Sequence, residues 1–184
     1  ESSQLFLLSD AEPIPPFALV MRAREDIPRL RTVLDSFGYY QGAVALSVAG
    51  LAPEDPELPA RLDEMPQGSE APVVIAITLG PLYRLNRITL DGVSQGDYAG
   101  TLGIAKGDPA AAAPVLDAGL RLQSALQDRG HALARVDAPD ALADDAAHTL
   151  DIAYTVTPGP QVALGDIRVR GLSRVRESFV RGAL

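Results

Sequence analysis

Apolar residues recur along this chain in two rhythms. The first has steps of three and four. Val20, Ala23, Ile27, Leu30, Leu34 and Phe37 form one such stripe, which predicts an amphipathic helix. Gly38 follows as its C-terminal stop. Pro28 predicts a kink in this helix, or a fresh start after Asp26. A second helix is predicted over "AAPVLDAGLRLQSALQDRG". It carries Leu116, Leu120, Leu122 and Leu126, has Pro114 in its first turn and is ended by Gly130.

The second rhythm has a period of two, the mark of a strand with one buried face. Val44, Leu46 and Val48 alternate after the first helix, and Val73, Ile75 and Ile77 alternate further on. Ile152, Tyr154 and Val156 repeat the latter pattern 79 positions later. After the second helix, "GHALARVDAP" predicts a strand with Leu133 and Arg135 on one face and Ala134 and Val136 on the other. The segments that follow these strands, among them "LAPEDPELPARLDEMPQGSEAP", read as polar loops.

The offset of 79 persists past the strands. "GPLYRLNRITLDG" at 80–92 is matched by "GPQVALGDIRVRG" at 159–171, so Leu85, Ile88, Leu90 and Gly92 meet Leu164, Ile167, Val169 and Gly171. Gly-Pro interrupts a ladder, because proline lacks the amide and glycine tolerates unusual backbone angles. The strand after each Gly-Pro therefore opens a new unit, and Gly80, Pro81, Gly159 and Pro160 are the expected hinges between units. Three parts follow: 1–82, an ααββ unit without an opening strand; 83–158, a complete βααββ unit; and 159–184, an opening strand and the start of a helix. In the complete unit the expected core sets Leu116, Leu120 and Leu126 against Ile88, Leu90 and Ile152.

Composition narrows the chemistry. The 184 residues carry 16 Lys+Arg against 24 Asp+Glu, a net charge of −8 that disfavours nucleic acid as a partner. Acidic residues gather at Glu54, Asp55, Glu57, Asp63, Glu64 and Glu70, and basic ones at Arg168, Arg170, Arg174, Arg176 and Arg181. Cysteine is absent, which excludes disulfides, thiol nucleophiles and thiolate metal sites. His131 and His148 are the only histidines, and a metal site built on them would need a third ligand such as Asp137, Asp144 or Asp145. The simpler reading makes His131 the counterpart of Tyr39 after a helix-ending glycine and places His148 in a loop. A G-x-S-x-G turn and Walker spacing are missing, and Ser173 reads as a helix N-cap. Of Tyr39 and Tyr40, one is expected in the core and the other over a unit edge. No catalytic residue, metal or cofactor is assigned.

The βααββ order, "GYY" closing a helix, and Gly-Pro followed by I-x-L-x-G resemble the POTRA domains of Omp85-superfamily outer-membrane proteins. "RAREDIPRLRTVLDSFGYYQGAVALSV" and "LADDAAHTLDIAYTVTPGPQVALGDIRVRGL" are most similar to those of TamA-type proteins of the translocation and assembly module. The resemblance implies an α+β fold of tandem domains, each a three-stranded mixed sheet with two helices on one face. It implies a non-enzymatic periplasmic module of outer-membrane protein assembly, tethered through a C-terminal β-barrel. The implied partners are unfolded outer-membrane or autotransporter polypeptides and a TamB-like inner-membrane-anchored protein. The general barrel-assembly insertase, a two-partner secretion transporter and a structural spacer are the alternatives. Binding is expected where a sheet edge offers unpaired backbone to an extended chain. The expected edge residues are Val44, Ala45, Leu46, Ser47 and Val48 in the first unit and Leu133, Ala134, Arg135 and Val136 in the second.

Overall fold

A computed structural model describes residues 3, 5, 15–66, 69–163 and 165. The expected strand at 164–169 and the helix capped by Ser173 lie outside the described residues. The elements are α1 (Pro16–Ser36), β1 (Ala43–Val48), α2 (Leu58–Asp63), β2 (Val73–Thr78), β3 (Arg84–Asp91), α3 (Gln95–Tyr98), α4 (Ala112–Asp128), β4 (Arg135–Val136), β5 (Asp140–Asp144) and β6 (Thr149–Thr157). Helices packed on sheets give the α+β class. The buried apolar residues form two clusters, one drawn from residues 5–62 and one from residues 83–156.

In the second cluster the sheet is mixed. The strand β6 lies in the middle, parallel to β3 and antiparallel to both β4 and β5. The period-two pattern of β6 is expressed directly: Leu150, Ile152, Tyr154 and Val156 are buried, and the residues between them are not. Gly92 ends β3 with φ +94, where a Cβ would strike the Val156 carbonyl oxygen, so only glycine fits. Tyr154, fully buried, donates its hydroxyl to the Val115 carbonyl of α4 at 2.7 Å and ties helix to sheet.

Two expectations fail here. Leu116 and Leu120 are exposed, at 53% and 65%, and α4 instead buries Val115, Ala118, Gly119, Leu122 and Leu126. The helix has leucine on both faces, and the face carrying Gly119 lets Tyr154 come within 3.4 Å of where a Cβ would stand. The smaller stripe packs more closely and takes the core. The segment after β4 is also not a loop. At Asp137–Pro139 the strand slips by one residue, as in a β-bulge, and resumes as β5. A tight turn at residues 145–148 closes the β5–β6 hairpin, with Asp144 Oδ1 accepting from the N–H groups of Ala146 and Ala147.

In the first cluster α1 runs unbroken through Pro28, so no new helix begins after Asp26. Val20, Ala23 and Leu34 of its stripe are buried, whereas Phe37 is 62% exposed. The acidic and Pro-rich segment is not wholly loop either. It folds α2, whose Leu58 and Leu62 are buried in the cluster. Asp26 is fully buried in α1 and accepts from Ser3 Oγ at 2.6 Å and the Leu5 N–H at 3.0 Å. Among the described residues its sheet has two antiparallel strands, β1 and β2, in the register Val44↔Ile77, Leu46↔Ile75 and Val48↔Val73.

Candidate peptide-binding edges

Whether a strand edge can accept another chain depends on which backbone groups face outward and what covers them. In β1 the direction is set by the bond from the Ala49 N–H to the Pro72 carbonyl, 2.8 Å. Antiparallel ladders alternate. Ala43, Ala45 and Ser47 therefore turn their N–H groups towards β2, and Val44, Leu46 and Val48 turn theirs outward. The Val48 N–H is occupied, donating to the Leu51 carbonyl at 2.8 Å. Among the described residues nothing pairs with the outward backbone of Val44 and Leu46. The Leu46 side chain is meanwhile anchored in the core. Among the described residues the edge is therefore open for about two residue pairs.

The second unit differs. Leu133 and Ala134 do not belong to a strand: they lie in a turn held by the Ala134 N–H donating to the His131 carbonyl, and the strand starts at Arg135. Its edge is broken after two residues by the bulge containing Pro139, and Asp137, Asp140 and Asp144 line it with charge. Charge, proline and bulges are the devices that stop edges from pairing. The opposite edge, β3, is covered at both ends. At one end the 107–110 segment bonds to Tyr83 and Leu85. At the other the Gln95 side chain donates to the Ile88 carbonyl and accepts from the Leu90 N–H, mimicking a neighbouring strand. Of the expected edge residues, Val44 and Leu46 thus have outward backbone groups that no other described residue pairs.

The Gly-Pro joints are bridged by hydrogen bonds. Gly80 has φ +70, and the third residue after it, Tyr83, donates its N–H to the Gly38 carbonyl at 2.9 Å. The second joint repeats this: Gly159 has φ +66, and Val162 donates to the carbonyl of Gly130 at 2.8 Å. Tyr40 packs on the second cluster and donates its hydroxyl to the Ala110 carbonyl at 2.9 Å. Its ring meets that of Tyr83 edge to face at 5.2 Å. The Tyr83 hydroxyl donates to Asp145 Oδ1 at 2.6 Å, and burial, followed by this bond, raises the Tyr83 pKa above its ordinary value. Asp144 and Asp145 thus serve the turn and the joint. His131 Nδ1 lies 3.2 Å from the Gly159 carbonyl, and the His148 ring packs edge to face on Tyr83. No group of three or more His, Cys, Asp or Glu suited to a metal occurs among the described residues. No helix among them is long and apolar enough to cross a membrane.

No protein-family model and no curated protein matches the chain. Solved structures do. The chain is similar to the POTRA3–5 segment of BamA from Haemophilus influenzae, with 18% identity, TM-score 0.46, 88% of this chain and 59% of that one covered. It is similar to POTRA4 of the same protein, with 22% identity, TM-score 0.39, and 45% and 98% covered. BamA from Haemophilus ducreyi lacking POTRA domains 1–3 is similar at 12% identity and TM-score 0.44, with 80% and 24% covered. The chain thus spans 59% of the length of the first of these structures.

Proposed function

We propose that the chain is a POTRA-type periplasmic module of an outer-membrane protein assembly factor, without enzymatic activity. It takes up extended client or partner segments along the outer edge of β1. In this reading the repeats divide at 1–82, 83–158 and 159–184, and the protein is of TamA type. Its partners are unfolded outer-membrane polypeptides and a TamB-like protein, and a β-barrel provides the tether. The order strand, short helix, long helix, strand, strand between the two Gly-Pro joints supports the family reading. The observation that carries the binding mode is the contrast between edges: β1 leaves the backbone of Val44 and Leu46 open, while Gln95 and the 107–110 segment cover β3 and the β4–β5 edge is bulged and acidic.

The test uses proline placement. Val44→Pro removes an outward N–H and leaves the β1–β2 ladder intact, whereas Ala45→Pro breaks the ladder. An unfolded outer-membrane-protein peptide is titrated against the wild type and against Val44→Pro, after circular dichroism has shown that the variant is folded. Weaker binding by Val44→Pro, with slowed exchange of the Leu46 amide in the wild-type complex, is the expected result. Equal binding removes the edge mechanism, and no binding by the wild type favours a structural spacer.

A further inference from the structure

Units joined by a short connector turn about it unless a close contact holds them. At Gly80-Pro81 the contact is close. A Cβ added to Gly38 would stand 3.2 Å from the Ala110 carbonyl oxygen, so the turn that ends α1 lies directly against the 107–110 segment of the second unit. The hydrogen bonds there form a closed circuit. The Gly38 carbonyl accepts from the Tyr83 N–H at 2.9 Å, the Tyr83 carbonyl accepts from the Ala110 N–H at 2.9 Å, and the Ala110 carbonyl accepts from the Tyr40 hydroxyl at 2.9 Å. Gly38 and Tyr40 lie in the same turn, so the circuit leaves the first unit and returns to it there. Tyr83, in the middle of it, is fully buried. Its hydroxyl donates to Asp145 Oδ1 at the tip of the β5–β6 hairpin, and the Asp145 carbonyl accepts from the Gln41 side chain at 3.5 Å. The hairpin tip is therefore held both by the connector and by the first unit.

The second joint is an internal control. It keeps the backbone bond, from the Val162 N–H to the Gly130 carbonyl, and so makes the same turn. Yet Ala132 stands where the first joint has Tyr40, and Val162 where it has Tyr83, so neither hydroxyl nor ring is available at these positions. Its side-chain contacts among the described residues, from His131 Nδ1 to the Gly159 carbonyl and from Gln161 to the Arg129 carbonyl, run only between the helix end and the connector. The turn at a Gly-Pro joint thus forms without the tyrosines, and their bonds at the first joint serve something else. We propose that they lock it: Gly80-Pro81 does not act as a hinge, and the two described clusters turn as one body. Rotation about the connector would have to break the bond from Tyr40 to Ala110 and separate two rings packed edge to face at 5.2 Å. The strand β1 is thereby presented at a fixed angle to the mixed sheet, with or without a segment on its edge. The lock rests on the joint alone and not on the binding mode assigned to β1.

The chain has no cysteine, so nitroxide labels go only to engineered ones. The 184-residue chain carries Arg31→Cys on α1 and Ser124→Cys on α4, both exposed positions, and pulsed electron paramagnetic resonance reads the distance between the labels. A second pair, Ser124→Cys with the exposed Thr155→Cys, reads the second unit alone. The expected result is one narrow distance distribution for each pair. Tyr40→Ala, the residue that the second joint has, should broaden the first pair and leave the second unchanged. A first pair that is already as broad with Tyr40 in place, or that stays narrow in Tyr40→Ala, overturns the proposal. If Tyr40→Ala also broadens the second pair, it has loosened the unit itself, and the double variant Tyr40→Phe with Gln41→Ala decides. That variant keeps the ring and removes both side-chain bonds. Broadening of its first pair alone supports the lock, and two unchanged pairs overturn it.

Discussion

Two leucines of α4 separate the observed packing from the simplest reading of its sequence. Leu122 is fully buried and Leu120 is 65% exposed, two residues apart on one helix. Leu122→Ala removes three carbons from a dry core, about 2.4 kcal/mol at ~0.8 kcal/mol per carbon. The cavity left between α4 and the sheet adds to this, because Tyr154 is held by its bond to Val115 and cannot swing in to fill it. The total expected is roughly 3–4 kcal/mol, within the range of about 2–5 kcal/mol for buried leucine truncations. Leu120→Ala should change stability by no more than about 0.5 kcal/mol, since alanine is the better helix former and little apolar area is lost. Urea unfolding followed by far-UV circular dichroism measures both. Hydrogen exchange of β6 amides assigns the loss to the second cluster rather than the first. A larger loss for Leu120→Ala than for Leu122→Ala would refute the packing argument.

The other expectations follow from local geometry and titration. Gly92→Ala should destabilise the second unit by more than about 2 kcal/mol in the same urea assay, because it combines positive φ with a clash against the Val156 carbonyl. Burial pushes the Tyr154 pKa up to about 12, from its ordinary value of 10.0. Below pH 10 this tyrosine is neutral both folded and unfolded and costs nothing; from about pH 10 the unfolded chain ionises first, so stability falls until about pH 12. Thermal melts across that range should show the fall, and Tyr154→Phe, though weaker at neutral pH, should show a shallower one. Asp26→Ala should cost about 1–3 kcal/mol, as the Leu5 N–H loses its buried acceptor, and limited proteolysis should then cut near the N-terminus more readily.

The legible part of the fold was the part written as repetition. The offset of 79, the alternation in β2 and β6 and the glycines ending α1 and α4 placed the main elements in order. What stayed hidden was decided by contacts distant in sequence. The choice between two leucine-bearing faces of α4 was made by Tyr154, which fits closely against Gly119. The strand β5 reads "DALAD", with no apolar alternation and a proline just before it, and it forms because β6 lies opposite and Asp144 closes the turn. Helix α2 did carry a local signal, Leu58 and Leu62 four apart with a proline in the first turn, submerged in acidic surroundings. For the candidate site, Val44 and Leu46 could be named from alternation. That β3 would be covered by Gln95 could not, because this depends on one side chain reaching back to the strand before it.

The bond from Tyr83 to Gly38 and its twin from Val162 to Gly130 have a consequence for how such a chain lengthens. In each, a helix-ending glycine supplies the acceptor and the third residue after the following Gly-Pro glycine supplies the donor. Both described joints therefore use the same kind of acceptor and the same kind of donor. On the proposed division into repeats, duplicating or excising the 79 residues between the Gly-Pro pairs would leave a matching donor and acceptor at the new seam.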